Sequence, residues 1–205
     1  IVSLVGSEMC IRDSSNRIAV ENAIKSLPEN FKTIDILINN AGNAHGLSSI
    51  QEGDLDDWDA MLDINVKGLL YVSKAIFPQM IARNSGFIVN IGSIAGKEVY
   101  PNGNVYCASK HAVNALNKGM RIDLNKHNIR VSAIHPGAVE TAFSEVRFKG
   151  DTEKAAAVYK GYKPLQAEDI ADIIYFVVTR PYHVNIEDLV VYPTAQANAT
   201  IMNKD

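Results

Sequence analysis

The chain has 205 residues, of which 47% are hydrophobic and 21% charged, and its formal net charge at pH 7 is −3. This length fits one domain on the usual scale of roughly 100–200 residues per domain. The near balance of charge argues against a nucleic-acid groove or a polybasic membrane surface. No apolar run approaches the ~20 residues that a membrane-spanning helix needs. Cys10 and Cys107 are far apart, a pattern that indicates neither a disulfide nor a metal site and favours the cytoplasm.

Residues 1–14 differ in character from the remainder and are expected to be a non-native head. They resemble translated sequencing-adaptor sequence of the kind found fused to gene fragments. A secretory signal is the competing interpretation, but no basic segment precedes the apolar residues, and acidic residues such as Glu8 and Asp13 follow at once. We therefore expect residues 15–205 to form a single domain.

The remaining sequence alternates helical and strand patterns. Helices are predicted at 15–27, with Ser14 or Ser15 as the cap, and at 55–62, 66–83, 104–124 and 168–178, with an interruption at Pro78. Short runs rich in β-branched residues predict strands at 34–38, 87–91, 129–134 and 189–192, each suited to burial on both faces of a parallel sheet. The expected fold class is therefore α/β, with a Rossmann-like, doubly wound parallel sheet. The residues expected on the inner helix faces are Ile18, Ala19, Ala23, Ile24, Leu27, Trp58, Met61, Leu69, Leu70, Val72, Ala75, Ile76, Ala112, Ala115, Leu116, Met120 and Leu124.

The segment Tyr106-Cys107-Ala108-Ser109-Lys110 carries the first chemical signal. Residues four apart on a helix share a face, so Tyr106 and Lys110 are expected to project side by side. A nearby ammonium favours the phenolate and lowers the pKa of a tyrosine from its ordinary value of about 10. The pair alone is also compatible with an ordinary surface tyrosine and lysine, and Cys107 is expected to be a small packing residue.

Further polar motifs follow the predicted strands. Asn39-Asn40-Ala41-Gly42 comes after the first strand, Gly92-Ser93 after the second and Pro136-Gly137 after the third. Open α/β sheets bind ligands at the carboxyl ends of their strands, so these motifs are expected to meet at one edge. Each motif taken singly is also compatible with a simple turn or cap. His45 is expected to be a surface residue, and His135 a structural residue.

Together with Asn65, in the run Ile64-Asn65-Val66-Lys67-Gly68, these motifs resemble the classical short-chain dehydrogenase/reductase family from about residue 18 to the C-terminus. The resemblance implies a catalytic tetrad of Asn65, Ser93, Tyr106 and Lys110. It gives Tyr106 the role of acid and base, Ser93 the placement of the substrate oxygen, and Asn65 a kinked helix junction that holds a water next to Lys110. The residues implied to contact the cofactor are Asn40, Ala41, Gly42, Tyr106, Lys110, Pro136, Gly137, Val139 and Thr141.

One part of the family pattern is missing. Members open with a strand and a glycine-rich turn that receives the cofactor pyrophosphate at a helix N-terminus. The only glycine before Gly42 is Gly6, and no Gly-x-x-x-Gly-x-Gly occurs. We therefore expect a chain that lacks the first strands, with roughly 60 residues missing, and that binds cofactor poorly by itself.

Residues 143–161 correspond to the family's lid over the substrate. The run Arg147-Phe148-Lys149-Gly150-Asp151 resembles the subgroup that acts on serine, allo-threonine and 3-hydroxy acids with NADP. A lid cation such as Arg147 or Lys149 is suited to a substrate carboxylate, with Arg able to bind it in bidentate fashion. A solvated pair of charges is an equally good interpretation. The tail after Pro193 is expected to be an oligomer contact or disordered.

The sequence thus predicts an oxidoreductase that transfers a hydride between NADP(H), with NAD not excluded, and a small hydroxy acid or hydroxy amino acid. The resemblance also implies a homotetramer, paired through the helices around Leu69 and Ala112, with no metal, nucleic-acid or membrane partner. Two alternatives stay open. One is a non-catalytic Rossmann-like binding or scaffold protein, and the other is a dehydrogenase of the same family that acts on a different alcohol or ketone.

Overall fold

The computed structural model describes residues 14–205, so the predicted non-native head lies almost wholly outside the described residues. The elements in chain order are α1 (Arg17–Lys25), β1 (Ile36–Asn39), α2 (Leu55–Leu62), α3 (Leu69–Arg83), β2 (Gly86–Ile91), α4 (Asn104–Leu124), β3 (Ile129–Pro136), α5 (Phe143–Arg147), α6 (Thr152–Val158), α7 (Ala167–Val178) and β4 (Asp188–Val191). A π-helical segment, Asp63–Gly68, joins α2 to α3, and 3₁₀ turns lie at Glu29–Phe31, Ile94–Gly96 and Asn125–His127.

Within residues 14–205, the four strands form one parallel sheet in the order β1-β2-β3-β4. The register pairs Asn39 with Asn90 and Ile91 with Ile134, so β1, β2 and β3 end at the same edge. Parallel strands need crossover connections, and here helices supply them. The predicted α/β class with a parallel sheet is confirmed.

Apolar clusters fill both faces of the sheet, because alternate residues of each buried strand point in opposite directions. On one face Ile88 and Val131 pack with Ile76 of α3 and Val113 of α4. On the other face Phe87, Val89 and Ile134 pack with Val177 of α7. This two-sided burial explains why the strands read as continuous apolar runs.

Several details of the predicted elements are wrong. Asn16, not Ser14 or Ser15, caps α1, since its side chain accepts a hydrogen bond from the Ala19 N–H at 3.0 Å. Ile18 is 65% exposed because the buried side of α1 is set by Val20 and Ala23. The helix α3 continues through Pro78 without the predicted interruption. The first strand begins at Ile36, two residues later than predicted.

Two other predicted inner-face residues also lie outward. Leu70 is 38% exposed and Ala115 is exposed as well. The buried side of α4 contains Lys110 and Asn117 among its apolar residues, so a pattern of apolar residues alone misplaces that face. Trp58 and Met61 do pack inward as predicted, in a cluster that also contains Tyr106.

The C-terminal tail folds onto the body of the domain. Gln196 is 8% exposed, and its side-chain oxygen accepts a hydrogen bond from the Ala138 N–H at 2.8 Å. The Ala199 N–H donates to Glu98 at 2.9 Å. The tail is therefore ordered, and of the two sequence-based alternatives only the oligomer contact stays open. Among the described residues, no helix is both long and apolar enough to cross a bilayer.

Candidate active site

Tyr106 and Lys110 lie in the first turns of α4 and are almost hidden from solvent, at 8% and 6% exposure. Lys110 donates a hydrogen bond from Nζ to the Ile91 carbonyl at the end of β2, at 3.1 Å. Two glycines allow this close packing. A Cβ on Gly96 would lie 2.5 Å from the Lys110 carbonyl oxygen, and a Cβ on Gly42 would lie 3.2 Å from Lys110 Nζ. The helix is therefore seated against the carboxyl edge of the sheet.

Ser93 stands at that edge, directly after β2. Its hydroxyl oxygen accepts the Ala95 N–H at 3.1 Å and caps the short 3₁₀ turn Ile94–Gly96. The same hydroxyl is close enough to the Tyr106 phenol to favour the phenolate and oppose the rise in its pKa. The structure thus brings the predicted Ser93, Tyr106 and Lys110 together.

Burial dominates the ionisation of both α4 residues. Burial raises the pKa of Tyr106 well above its usual range, an effect that the Ser93 hydroxyl and the Arg147 guanidinium oppose. Burial also lowers the pKa of Lys110 from 10.5 to about 8, because a desolvated ammonium is disfavoured. The lowered pKa that the sequence predicted for Tyr106 is therefore not found, because burial outweighs the opposing contacts. The positive charge that opposes burial belongs to Arg147, not to Lys110.

Asn65 is 1% exposed and lies within the π-helical segment between α2 and α3. Its amide group accepts the Asn43 N–H at 2.8 Å and donates to the Asn43 carbonyl at 2.8 Å and to Ser109 Oγ at 3.0 Å. The side chain therefore ties the loop after β1 to α4. A π-helical turn breaks the regular ladder of backbone hydrogen bonds, and such turns are frequent at functional sites. The kinked junction expected at Asn65 is present, while the water-holding role stays a prediction.

The two lid cations considered for a substrate carboxylate, Arg147 and Lys149, occupy different places. Arg147 at the end of α5 lies with its guanidinium 5.2 Å from the ring centre of Tyr106, and it donates to the Tyr100 hydroxyl at 2.7 Å. Its Nε is buried and has no hydrogen-bond partner among the described residues. Lys149 points elsewhere and pairs with Asp57 at 2.9 Å. Of the two candidates for a substrate carboxylate, only Arg147 reaches the tyrosine.

A small cavity of about 20 Å³ lies between the lid and Tyr106. This volume is close to that needed for a single water. Its lining includes His45, Gly46, Met61, Asn104, Tyr106 and Arg147. His45, expected on the surface, is half-buried here, because the Gly46 N–H is held by the Arg147 carbonyl at 2.9 Å. The sequence carried one signal for it, namely its place in the loop that follows a strand end.

Comparison with known protein families identifies the family of this chain. Residues 7–152 match the short chain dehydrogenase family. The chain belongs to that family. It is 45% identical over 188 residues to an NADP-dependent 3-hydroxy acid dehydrogenase of Salmonella typhi, a match that covers 91% of this chain and 76% of the relative. An NADP-dependent 3-hydroxy acid dehydrogenase of Schizosaccharomyces pombe is 42% identical over 187 residues, with 91% and 72% covered.

Solved structures give the same family. The closed form of a serine dehydrogenase complexed with NADP⁺ superposes on this short-chain dehydrogenase with a TM-score of 0.90 at 44% identity, covering 92% of this chain and 77% of the other. A crystal structure of serine dehydrogenase from Escherichia coli gives a TM-score of 0.78 at 38% identity, with 91% and 76% covered.

The residues expected to contact the cofactor follow the ends of β1 and β3. Asn40 and Ala41 are exposed, and Gly42 is half-buried beside Asn65 and Lys110. Pro136 ends β3, and the Gly137 N–H continues the sheet by donating to the Val191 carbonyl at 2.7 Å. The dehydrogenase thus presents both segments at one edge of its sheet, while their cofactor contacts stay a prediction.

The segment after Gly137 is hydrogen-bonded to the lid. Val139 is half-buried, and its carbonyl accepts a hydrogen bond from the Tyr159 hydroxyl at 2.8 Å, whereas Thr141 is exposed. Ser144 also contacts the Tyr159 hydroxyl at 2.8 Å. Sequence reasoning missed Tyr159 and Tyr100, because their partners lie far from them in the chain and no local pattern marks them.

Proposed function

We propose that this short-chain dehydrogenase transfers a hydride between NADP(H) and the hydroxyl-bearing carbon of a small hydroxy acid or hydroxy amino acid, of the serine, allo-threonine or 3-hydroxypropionate type. The observation that carries the substrate class is the position of Arg147. Its guanidinium lies beside the Tyr106 ring and keeps a buried Nε–H without a partner among the described residues. A buried, unpaired donor of this kind suits a carboxylate, which accepts from Arg with two oxygens.

The proton chemistry falls to Tyr106. We assign it the role of general base in alcohol oxidation and general acid in carbonyl reduction, as its hydroxyl is the ionisable group at the centre of the site. The Ser93 hydroxyl supports this role because it stabilises the phenolate. We assign the same hydroxyl to the substrate oxygen. Arg147 adds a positive charge that also favours the phenolate.

Lys110 and Gly42 are suited to a nicotinamide nucleotide. An ammonium has three N–H donors, and among the described residues Lys110 uses one of them, on the Ile91 carbonyl. Gly42 adds no side chain of its own beside this ammonium, where a Cβ would lie 3.2 Å from Nζ. We assign Lys110 to the ribose hydroxyls, and Asn40, Ala41, Pro136, Gly137, Val139 and Thr141 to the remaining contacts. The nucleotide would accept the hydride in alcohol oxidation and donate it in carbonyl reduction, while these residues would orient it and manage the proton. Asn65 is assigned to the water chain that connects Lys110 with solvent.

The relatives support the same assignment. The Salmonella typhi and Schizosaccharomyces pombe proteins carry the name NADP-dependent 3-hydroxy acid dehydrogenase, and the structure with the TM-score of 0.90 is a serine dehydrogenase with NADP⁺. The acid substrates in these names agree with a lid cation that binds a carboxylate, and the names give NADP as the cofactor.

We also propose a cytoplasmic homotetramer that binds no nucleic acid. Exposed apolar side chains on the long helices support assembly through them, with Leu70 on α3 38% exposed and Ile122 on α4 70% exposed. Light scattering of the purified protein tests the assembly, and a mass equal to a single chain would contradict it.

The test of the substrate class compares acids with their uncharged analogues. Turnover with NADP⁺ is measured for L-serine and 3-hydroxypropionate and, as controls, for the corresponding amides. Arg147→Met is expected to raise KM for the acids by about 10- to 100-fold, the scale of one lost charged hydrogen-bond pair, and to leave the amides nearly unchanged. Lys149→Met is the matched control, because it removes a neighbouring lid cation that pairs with Asp57 and does not face Tyr106.

Two outcomes would redirect the proposal. An equal loss for acids and amides in Arg147→Met would show that Arg147 does not read the carboxylate, and turnover confined to sugars or larger ketones would favour a dehydrogenase with a different substrate. If calorimetry shows no NADP⁺ binding and every substrate is inert, the non-catalytic binding or scaffold protein is favoured instead.

A further inference from the structure

A fully buried histidine lies directly behind Ser93. His135, next to the end of β3, has 0% exposure, and its Nδ1 lies 3.2 Å from the Ser93 carbonyl oxygen. A carbonyl oxygen only accepts hydrogen bonds, so Nδ1 must carry the proton that joins them. The geometry therefore assigns this ring a tautomer with hydrogen on Nδ1.

The imidazole also packs tightly on the backbone before Ser93. A Cβ on Gly92 would lie 2.4 Å from Nδ1 and 2.6 Å from Cε1 of His135, closer than any real side chain tolerates. The Gly92 N–H in turn donates to the Ile134 carbonyl at 2.8 Å. The turn from β2 into Ser93 is thus held from behind by the ring and by β3.

The Ser93 backbone and side chain are fixed by separate contacts. Its carbonyl accepts from the Gly96 N–H at 2.8 Å as well as from His135, and its hydroxyl oxygen accepts from the Ala95 N–H at 3.1 Å. The hydroxyl hydrogen stays available for donation to the Tyr106 phenol, whose phenolate the Ser93 hydroxyl favours, and under the proposed function to a substrate oxygen. Of these three contacts, only the one from His135 comes from outside the 3₁₀ turn.

The far side of the ring faces a pair of charges. His135 Nε2 is 3.5 Å from Asp188 Oδ2 on β4 and has no hydrogen-bond partner among the described residues. Asp188 contacts the Lys97 ammonium, which also reaches Asn114 on α4 at 3.3 Å. Burial lowers the pKa of His135, and Lys97 and Lys110 act in the same direction, while Asp188 and the Ser93 carbonyl oppose them. The ring is therefore neutral at neutral pH.

We propose that His135 is a positioning residue, which holds the Ser93 carbonyl through Nδ1–H and so aims the Ser93 hydroxyl at the substrate oxygen. The kinetic part of this inference rests on the proposed function, because it assumes that Ser93 binds a substrate. The structural part does not. The competing interpretation is a histidine that only fills space in the core, and the two differ in whether the Nδ1–H donor matters.

Two variants separate the effect of the Nδ1–H donor of His135 from the effect of the space that its side chain fills. His135→Asn keeps an amide N–H near the position of Nδ1, whereas His135→Leu keeps the bulk and removes the donor. Loss of orientation is expected to lower kcat of His135→Leu by about 10- to 100-fold, with little change in KM for NADP⁺, since misplacement of a reacting group by about 1 Å has effects of this size. His135→Asn is expected to stay within about fivefold of the wild type.

Two measurements do not depend on turnover. Nitrogen NMR of the wild type reports the tautomer of His135, and hydrogen exchange reports the Ala95 and Gly96 amides that Ser93 holds. The proposal expects an Nδ1–H tautomer and faster exchange of both amides in His135→Leu but not in His135→Asn. An Nε2–H tautomer in the wild type would overturn it, even if neither variant folds. Equal kcat and equal exchange in the wild type and both variants would also overturn it. A wild type inactive on all hydroxy acids would refute the proposed function, and the tautomer and exchange results would still decide the role of His135.

Discussion

The two walls of the active site are built in different ways. The wall formed by the end of β2 and the start of α4 holds Tyr106, Ser109 and Lys110 at 8% exposure or less, with hydrogen bonds that cross between elements. The wall formed by the lid, residues 143–161, consists of two short helices and the turn between them. Arg147 faces the site, whereas Lys149 in the turn has a side chain that is 59% exposed.

Apart from Phe143, which packs against Tyr106, the lid is joined to the rest of the domain mainly by polar contacts of single groups. The Gly46 N–H donates to the Arg147 carbonyl at 2.9 Å, and the Tyr159 hydroxyl donates to the Val139 carbonyl at 2.8 Å. Lys149 and Asp57 form an ion pair at 2.9 Å. Segments with few buried apolar contacts open at low free-energy cost. The proton chemistry is therefore placed on the rigid wall, and substrate recognition on the wall that is easier to move.

The largest expected effect lies at the centre of the rigid wall. Tyr106→Phe removes the acid–base hydroxyl and is expected to lower kcat by about 10³-fold, within the range for loss of a general acid–base group. KM for NADP⁺ is expected to change little. Tyr100→Phe is the matched control, since it removes a hydroxyl that contacts Arg147 at 2.7 Å and should cost far less. A Tyr106→Phe enzyme with the wild-type kcat would disprove the assigned mechanism.

The next effect concerns the buried ammonium of Lys110. Its pKa is about 8 in the folded protein and 10.5 in the reference state, so between these values the unfolded chain binds more protons. Stability must therefore rise with pH in that window. A difference of this size corresponds to about 3 kcal/mol, gained mostly between pH 8 and pH 10.

Urea unfolding of the wild type and Lys110→Met at several pH values measures this gain. The variant should lose the rise, so the difference in unfolding free energy between the two proteins should change by about 3 kcal/mol from pH 7 to pH 10. Lys118→Met, at an exposed position of α4, is expected to keep the wild-type slope. Parallel curves for the wild type and Lys110→Met would show that Lys110 is not desolvated.

Two glycines test how tightly the rigid wall is packed. A Cβ on Gly96 would lie 2.5 Å from the Lys110 carbonyl, which is backbone and cannot move aside cheaply, whereas a Cβ on Gly119 would have no described atom within 4 Å. Gly96→Ala is expected to lower the unfolding free energy by about 1–3 kcal/mol, as overpacking does. Gly119→Ala is expected to raise it by up to about 1 kcal/mol, since alanine favours the helix. Equal melting temperatures for the two variants would contradict the close approach of α4 to Gly96.

The rigid wall was also the part that the sequence predicted best. The helix 104–124 was predicted with the bounds that the structure shows, and the pairing of Tyr106 with Lys110 follows from local helix geometry alone. Ser93 and Gly42 were predicted from the family resemblance of motifs that follow strands, and the parallel strands do bring their ends to one edge.

What the sequence did not predict depends on contacts between distant residues. The apolar pattern placed Ile18 and Leu70 inward, although neighbouring helices cover other sides of α1 and α3. The sequence favoured Arg147 as the substrate residue with Lys149 as an alternative, and the folded chain shows that Lys149 pairs with Asp57 instead of facing Tyr106. His135 was expected to be structural, and it is fully buried, but its contact with Ser93 and its position beside Asp188 depend on the register of β3 with its neighbours.

The smallest expected effect is at the lid, and it tests whether that wall is as loosely held as its contacts indicate. The Lys149–Asp57 ion pair joins the lid to α2, but the lysine is largely exposed, and exposed pairs contribute little to stability and weaken in salt. Lys149→Met, Asp57→Asn and the double variant form a thermodynamic cycle for this contact. The coupling in unfolding free energy is expected to be close to zero, and KM for the hydroxy acid to change by less than about threefold. Lys149 also has a positive φ of 53°, so Lys149→Gly relieves backbone strain while it removes the same charge. A large coupling that survives about 1 M salt would mean that the lid is fastened as firmly as the rigid wall, and the contrast between the two walls would then be wrong.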